Sequence, residues 1–216
     1  MVHNICDQHS VASTLVLELR DVQLQTDRAR FRRNMEKLGE IFAYEISKAF
    51  DYVAVKTETP LGTAVCYRPQ DDIVLVTIVR AGLPMHQGML NYFPDADNGV
   101  IATQRIHHKD GTFDISVDYI NCPDIAGKIL IVCDPMLATG SSMDKALEAI
   151  IRNGKPKQLH LVSIIASSYG LAYMRRLWPR AHIWIAAEDE ELTAKSYIVP
   201  GLGDAGDLAF GGKASE

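Results

Sequence analysis

Long apolar runs are missing from this chain. No stretch reaches the roughly 18 apolar residues that a bilayer-spanning helix needs, so no membrane association is expected. Cysteine is scarce. Cys6, Cys66, Cys122 and Cys133 are far apart and form no C-x-x-C pair, which argues against a structural zinc site or a disulfide framework. Cys133 lies in an apolar run and reads as a buried thiol, a usage that fits a reducing cytosol. Positive charge is also short. Lys and Arg number 22 against 27 Asp and Glu, a net charge of −5 with pI near 5.8. Such a balance is a poor match for nucleic acid, whose binding depends on neutralising phosphates. Repeats, low-complexity tracts and long linkers are absent. Residues Met1–Ser10 are polar and include His3, Asp7 and His9. No leader is therefore expected, and the cytoplasm is the expected location.

What is present is ordinary for a soluble globular chain. Hydrophobic residues make up 47% of the 216 and charged residues 23%, enough to bury one sizeable core. The expectation is a single domain over residues 1–216. Residues 26–50 read as a long helix, with Phe31, Met35, Leu38, Phe42, Ile46 and Ala49 at helical spacing. Thr26 or Asp27 can cap its start. Arg28, Arg30, Arg32, Arg33 and Lys37 fall largely on the other side, read as a solvated face or a subunit contact.

Short β-branched runs follow. Ile73–Val79 (IVLVTIV) reads as a strand buried on both faces, followed by Arg80-Ala81-Gly82 and a helix through Tyr92. Residues 99–103 suggest another strand. The polar stretch Gln104–Ser116, holding His107, His108, Lys109, Asp110 and Gly111, reads as a mobile loop or hairpin. Residues 128–133 (KILIVC) form a further strand, running through Asp134–Ser142 into a helix that ends near Asn153, with Gly154 as C-cap. A strand at 159–166, a helix at 169–178 and a strand at 182–187 complete the pattern. This alternation predicts an α/β fold: a mainly parallel twisted sheet flanked by helices. Ligands of such a sheet bind at the carboxyl ends of the strands, where the loops after Val79, Cys133 and Ala187 begin.

The loop after Cys133 carries the chemical signal. An apolar strand ends in the acid Asp134, and the small-residue turn Ala138-Thr139-Gly140-Ser141-Ser142 leads into a helix. Gly140 lets the backbone turn and approach a ligand. Successive N–H groups at a helix start make an anion nest, and Thr139, Ser141 and Ser142 add hydroxyl donors. Asp134 can accept from sugar hydroxyls. Neither a Walker A loop nor a G-x-G-x-x-G fingerprint is present.

The string DPMLATGSS at 134–142 resembles the PRPP-binding signature of uracil phosphoribosyltransferases. Residues 79–85 (VRAGLPM) are similar to that family's L-R-A-G-L segment. Residues 197–207 (YIVPGLGDAGD) are similar to its C-terminal uracil-binding segment. The resemblance covers nearly the whole chain. It implies a type I phosphoribosyltransferase-like fold: a core at about 51–187, an N-terminal helical segment at 26–50, and a C-terminal hood at about 188–212. It also implies transfer of the phosphoribosyl group of PRPP to uracil, giving UMP and pyrophosphate.

Residue roles follow from the same resemblance. PRPP is expected on Arg80, Arg105, Asp134, Pro135, Met136, Leu137, Ala138, Thr139, Gly140, Ser141, Ser142 and Asp204. Arg80 meets the pyrophosphate, Asp134 the ribose hydroxyls, and the loop 138–142 the 5′-phosphate. Uracil is read by Ile198, Gly203, Asp204 and Ala205, largely through main chain. Arg80, Asp134 and Asp204 are the expected catalytic residues, with the general base left open between Asp204 and water. Mg2+ is the implied cofactor, held mainly by PRPP, with Asp204 near it. A homodimer or higher homo-oligomer and a GTP effector are further implications. The chain departs from the family pattern at Ser141, commonly glycine, at Leu208, commonly Lys or Arg, and around Gln104-Arg105 and His107-His108-Lys109.

Overall fold

The computed structural model of the chain describes residues 1–107 and 113–212; the side chains of 105–107 and 113–114 fall outside that description. His108, Lys109, Asp110 and Gly111 of the expected loop therefore lie outside the described residues. In chain order the elements are β1 (Val2–Asn4), α1 (Val11–Arg20), α2 (Arg28–Ser47), β2 (Tyr52–Thr59), β3 (Gly62–Pro69), β4 (Ile73–Val79), α3 (Leu83–Tyr92), β5 (Asp97–His107) and β6 (Phe113–Asn121). Then follow β7 (Ile129–Cys133), β8 (Met136–Leu137), α4 (Ser141–Ile150), β9 (Gln158–Ser167), α5 (Ser168–Leu177), β10 (His182–Asp189), β11 (Glu191–Leu192), β12 (Ile198–Val199) and α6 (Ala205–Phe210).

The main sheet has eight strands in the order β1-β10-β9-β7-β4-β5-β6, with β8 also paired to β9. Every pairing in it is parallel except β5 with β6. The expected parallel α/β sheet is therefore present. The polar stretch after residue 103 extends β5 and pairs it with β6 as an antiparallel hairpin, Arg105 opposite Ile115.

Alternation along the strands builds two apolar layers. Leu75 on β4 and Ile129, Ile131 and Cys133 on β7 face the layer holding α1, α2 and α3. Val74, Val76 and Ile78, with Leu130 and Val132, face the layer holding α4 and α5. A strand buried on both faces has no polar side to show, which is why these runs are apolar but for Thr77.

Helix α2 starts at Asp27, whose carboxylate accepts from the N–H groups of Ala29 and Arg30 at 3.0 Å. Its buried stripe holds Phe31, Met35, Leu38, Phe42 and Ile46, as the periodicity predicts. The basic side is less free than the sequence suggests. Arg32 donates to Ala209 O at 2.6 Å, and Arg28 lies against Gly211, so two of these arginines serve the chain's own C-terminal segment.

Several elements escaped the sequence reading, helix α1 and the hairpin β2–β3 the longest of them. Helix α1 begins with a Ser10–Ser13 capping box. The hairpin β2–β3 is almost wholly exposed, including Leu61, Val65 and Tyr67. Its residues alternate without a clear apolar side, so no strand signal stands out. Among the described residues no helix is long and apolar enough to cross a membrane.

Candidate functional site

The loops after β4, β7 and β10 leave the same end of the parallel sheet, because the strands between them run side by side in one direction. Asp134 follows β7 directly, its N–H bonded to Val162 O at 3.0 Å. Pro135 is buried, and its carbonyl accepts from the N–H groups of Ile164 and Ile165 on β9. The acid is thus fixed between two central strands. A concavity beside it is lined by Asp134, Met136, Leu137, Ala138, Thr139, Gly140, Ser142 and Met143. Pro135 and Ser141 lie outside that lining, although both belong to the expected PRPP loop.

Gly140 is the N-cap of α4 at φ 84°, in the left-handed region that favours glycine. Ser141 is not at positive φ, so its serine, where the family commonly has glycine, carries no backbone strain. Its N–H donates to Thr139 Oγ1 at 3.3 Å, and the two hydroxyls stand 3.1 Å apart. The first turn of α4 is tied to α5. Buried Asp144 accepts from Trp178 Nε1 at 2.9 Å and from the Tyr173 hydroxyl at 3.1 Å.

After β4, Arg80 turns toward the C-terminal segment. Its guanidinium donates to Gly211 O at 3.2 Å and stands 3.4 Å from the Asp207 carboxylate. Arg80 and the C-terminal segment, separate in sequence, are therefore joined in space. The hood begins with the small ladder β11–β12 and continues through the cis Val199–Pro200 peptide to α6. Ile198 and Ala205 bury their side chains in the core, which leaves their main chain as the part able to meet a ligand. Gly203, at φ 95°, is exposed. Asp204, also exposed, caps α6 by accepting from Asp207 N at 3.0 Å. Leu208 packs on the core instead of presenting a cation.

Of the residues singled out by sequence, Asp134, Met136–Gly140 and Ser142 gather at the concavity. Arg80 joins the hood, which carries Ile198, Gly203, Asp204 and Ala205. Arg105 is on β5, and its side chain is outside the described residues. Two further contacts beside these segments gave no sequence signal. Asp189 at the end of β10 grips Arg20 and the Gly201 N–H; the apolar run that marks the strand stops at Ala187, which hid it. Ser167 contacts the loop from behind, and a lone serine after an apolar strand gives no such signal.

Cys133, beneath the loop, is no nucleophile. Burial pushes its thiol up to about 12, so the reactive thiolate is not formed. His86 is held below the ordinary histidine value by burial, against a hydrogen bond to Asn98 that favours the charged ring. No group of three or more His, Cys, Asp or Glu able to hold a metal occurs among the described residues.

A central parallel sheet, an acid at the end of β7 followed by a small-residue turn into α4, and an arginine bridged to the C-terminal segment fit a phosphoribosyltransferase. The comparison with family models narrows the class. The model described as uracil phosphoribosyltransferase matches residues 6–212, and the chain belongs to that family. It is 52% identical over 207 residues to the uracil phosphoribosyltransferase of Porphyromonas gingivalis, covering 95% of this chain and 96% of that one. It is 42% identical over 205 residues to the enzyme of Pyrobaculum arsenaticum, covering 94% and 96%. Among solved structures, the AQ2163 protein from Aquifex aeolicus superposes with a TM-score of 0.88 at 28% identity, over the whole of both chains.

Proposed function

We infer that this protein transfers the phosphoribosyl group of PRPP to uracil, acting as one domain over residues 1–216. The observation that carries the residue assignment is the bridge from Arg80 to Asp207 and Gly211. It joins the segment assigned to pyrophosphate with the segment assigned to the base.

In this reading the 5′-phosphate lies on the N–H groups of 138–142, where the dipole of α4 favours negative charge. Asp134 accepts from the ribose hydroxyls. Uracil N1 attacks C1 of the ribose, forming the N–C bond as the C–O bond to pyrophosphate breaks; the N1 proton leaves to Asp204 or to water. Arg80 stabilises charge gathering on the departing pyrophosphate, since a guanidinium matches phosphate oxygens. The main chain at Ile198, Gly203 and Ala205 offers N–H and C=O groups to the base edge. Holding both reactants in line can contribute roughly 7–11 kcal/mol.

The donor set suits magnesium only in part. Asp134 and Asp204 supply hard carboxylate oxygens, and no cluster able to enclose an ion occurs among the described residues. Such a cation would be held mostly by phosphate oxygens and water, with Asp204 beside it, and would neutralise pyrophosphate charge. Arg105, on β5, belongs to the PRPP contacts in the same reading. Homo-oligomeric assembly, a response to GTP and a cytoplasmic location complete it; sedimentation, assay with added GTP and fractionation of cells test them.

The deciding experiment supplies purified protein with PRPP, magnesium and uracil, with cytosine, hypoxanthine and orotate in parallel. UMP from uracil alone is the expected result. Turnover of another base overturns the role of the hood, and no turnover with any base overturns the reading.

A further inference from the structure

The face of the loop turned away from the concavity is occupied by the start of α5. Ser167, the N-cap of α5 and fully buried, donates its hydroxyl to Ala138 O. Ser167 Oγ in turn accepts from Gly170 N at 2.8 Å. One hydroxyl thus uses its donor and an acceptor position at once. At Gly170 the approach is closer still. A Cβ there would stand 2.4 Å from Ala138 O and 2.7 Å from Leu137 O. Two successive carbonyls of the loop therefore point at the N-terminal turn of α5, whose partial positive charge attracts them.

The peptide bonds of this loop are trans, the cis bonds being elsewhere. In a planar trans peptide the C=O and the following N–H point in opposite directions. Turning the Leu137 and Ala138 carbonyls toward α5 therefore turns the Ala138 and Thr139 N–H groups the other way. No α5 residue lines the concavity, whereas Ala138 and Thr139 do, so the other way is toward it.

We propose that Ser167 is a positioning residue for the PRPP site: with Gly170 it fixes the polarity of the anion nest, holding loop carbonyls away from the phosphate and N–H groups toward it. The proposal rests on the assignment of 138–142 to the 5′-phosphate. An unrestrained peptide can flip and present a carbonyl oxygen to the anion, and the nest then repels the charge it is meant to hold. Asp144, tied to Tyr173 and Trp178, anchors the other end of the same loop on α5.

The test compares wild type with Ser167→Ala and Ser167→Gly, the second keeping a residue well tolerated at an N-cap. KM for PRPP, KM for uracil, kcat and thermal stability are measured, together with direct binding of ribose 5-phosphate. Loss of one buried hydrogen bond predicts a roughly threefold to tenfold weaker ribose 5-phosphate affinity and a matching rise in KM for PRPP. KM for uracil and kcat at saturation should stay near wild type. Unchanged ribose 5-phosphate binding overturns the proposal, as does a fall in every parameter that tracks thermal stability alone. If the wild type makes no UMP yet binds ribose 5-phosphate, the functional reading fails while the binding arm still decides the role of Ser167. If the wild type does not bind ribose 5-phosphate at all, both fall.

Discussion

Asp189 and Arg20 meet through two parallel hydrogen bonds of 2.8 Å, and the same carboxylate accepts from Gly201 N at 2.9 Å. Arg20 also donates to Gly201 O at 2.9 Å. One ion pair therefore bolts the base of the hood to β10 and α1. The Asp189 side chain is 7% exposed and that of Arg20 24%, so removing the acid leaves a half-buried guanidinium without its counter-charge. Asp189→Ala should cost about 3 kcal/mol of stability and raise KM for uracil more than KM for PRPP. Denaturant unfolding and steady-state kinetics check this. Equal effects on both KM values would show that the bolt does not act through the hood.

Gly140 and Ser141 should respond to exchange for different reasons. A Cβ at Gly140 would lie 2.9 Å from Tyr173 Cδ1 and 3.2 Å from Met174 side-chain atoms, at φ 84°. Gly140→Val should therefore cost about 2 kcal/mol from the backbone alone and weaken PRPP binding. Ser141→Gly restores the usual family residue without relieving any strain, because Ser141 is not at positive φ. It should cost about 0.5–1 kcal/mol through chain entropy at the helix start. Higher PRPP affinity in Ser141→Gly would mean that the serine side chain obstructs the phosphate.

The parallel sheet was legible because β4 and β7 are buried on both faces and, Thr77 apart, are apolar throughout. The loop 134–142 was legible because an acid at a strand end followed by small residues has a specific use. Residues 197–207 stood out only through resemblance, since their glycines look like any surface loop. Helix α1 and the hairpin β2–β3 were not legible. Leu17, Leu61 and Val65 are exposed, and exposed apolar residues blur both the helical and the strand period. The contacts of Arg80 with Asp207, Arg20 with Asp189, and Ser167 with Ala138 join residues far apart in sequence, where local pattern carries no information.

Acid should loosen the edge of the sheet at β1. Buried His160 accepts from Trp184 Nε1 at 3.1 Å through Nδ1. Indole only donates, so His160 is neutral, with its proton on Nε2 facing Gln158 Oε1 at 3.1 Å. Burial, reinforced by His182 and His3, lowers it from 6.5 to about 3. An unfolded chain regains the ordinary value, so protons favour unfolding. The stability due to neutral His160 is complete above pH 6.5 and is lost as pH falls toward 3, with a slope approaching about 1.4 kcal/mol per pH unit. His3 and His182, also lowered chiefly by burial, act in the same direction. Urea unfolding at a series of pH values should show the loss, and His160→Gln should flatten it. A wild-type profile that is flat below pH 6 would contradict a neutral buried His160.

Thiol reactivity should follow burial in a fixed order. Cys66 on β3 is exposed, Cys6 and Cys122 are half-buried and Cys133 is buried. Burial raises the thiols of Cys6 and Cys122 and lifts Cys133 to about 12. Alkylation followed by mass spectrometry should mark Cys66 first, Cys6 and Cys122 later, and Cys133 only on unfolding. Early labelling of Cys133 would mean that β7 opens in the native protein.

Asp204 has two jobs in this account, and substitution can separate them. As N-cap of α6 it satisfies the Asp207 N–H, a contact worth about 1 kcal/mol. As an exposed carboxylate beside Gly203 it is assigned to the reaction. Asn and Ser can still cap the helix, whereas Ala cannot. Asp204→Ala should therefore lose stability while Asp204→Asn and Asp204→Ser largely keep it. All three should lose turnover by about 100-fold, the low end of what one positioned acid or base contributes. If activity instead follows stability, with Asn and Ser near wild type and only Ala impaired, the carboxylate serves the fold of the hood alone. The proton of uracil N1 then leaves to water.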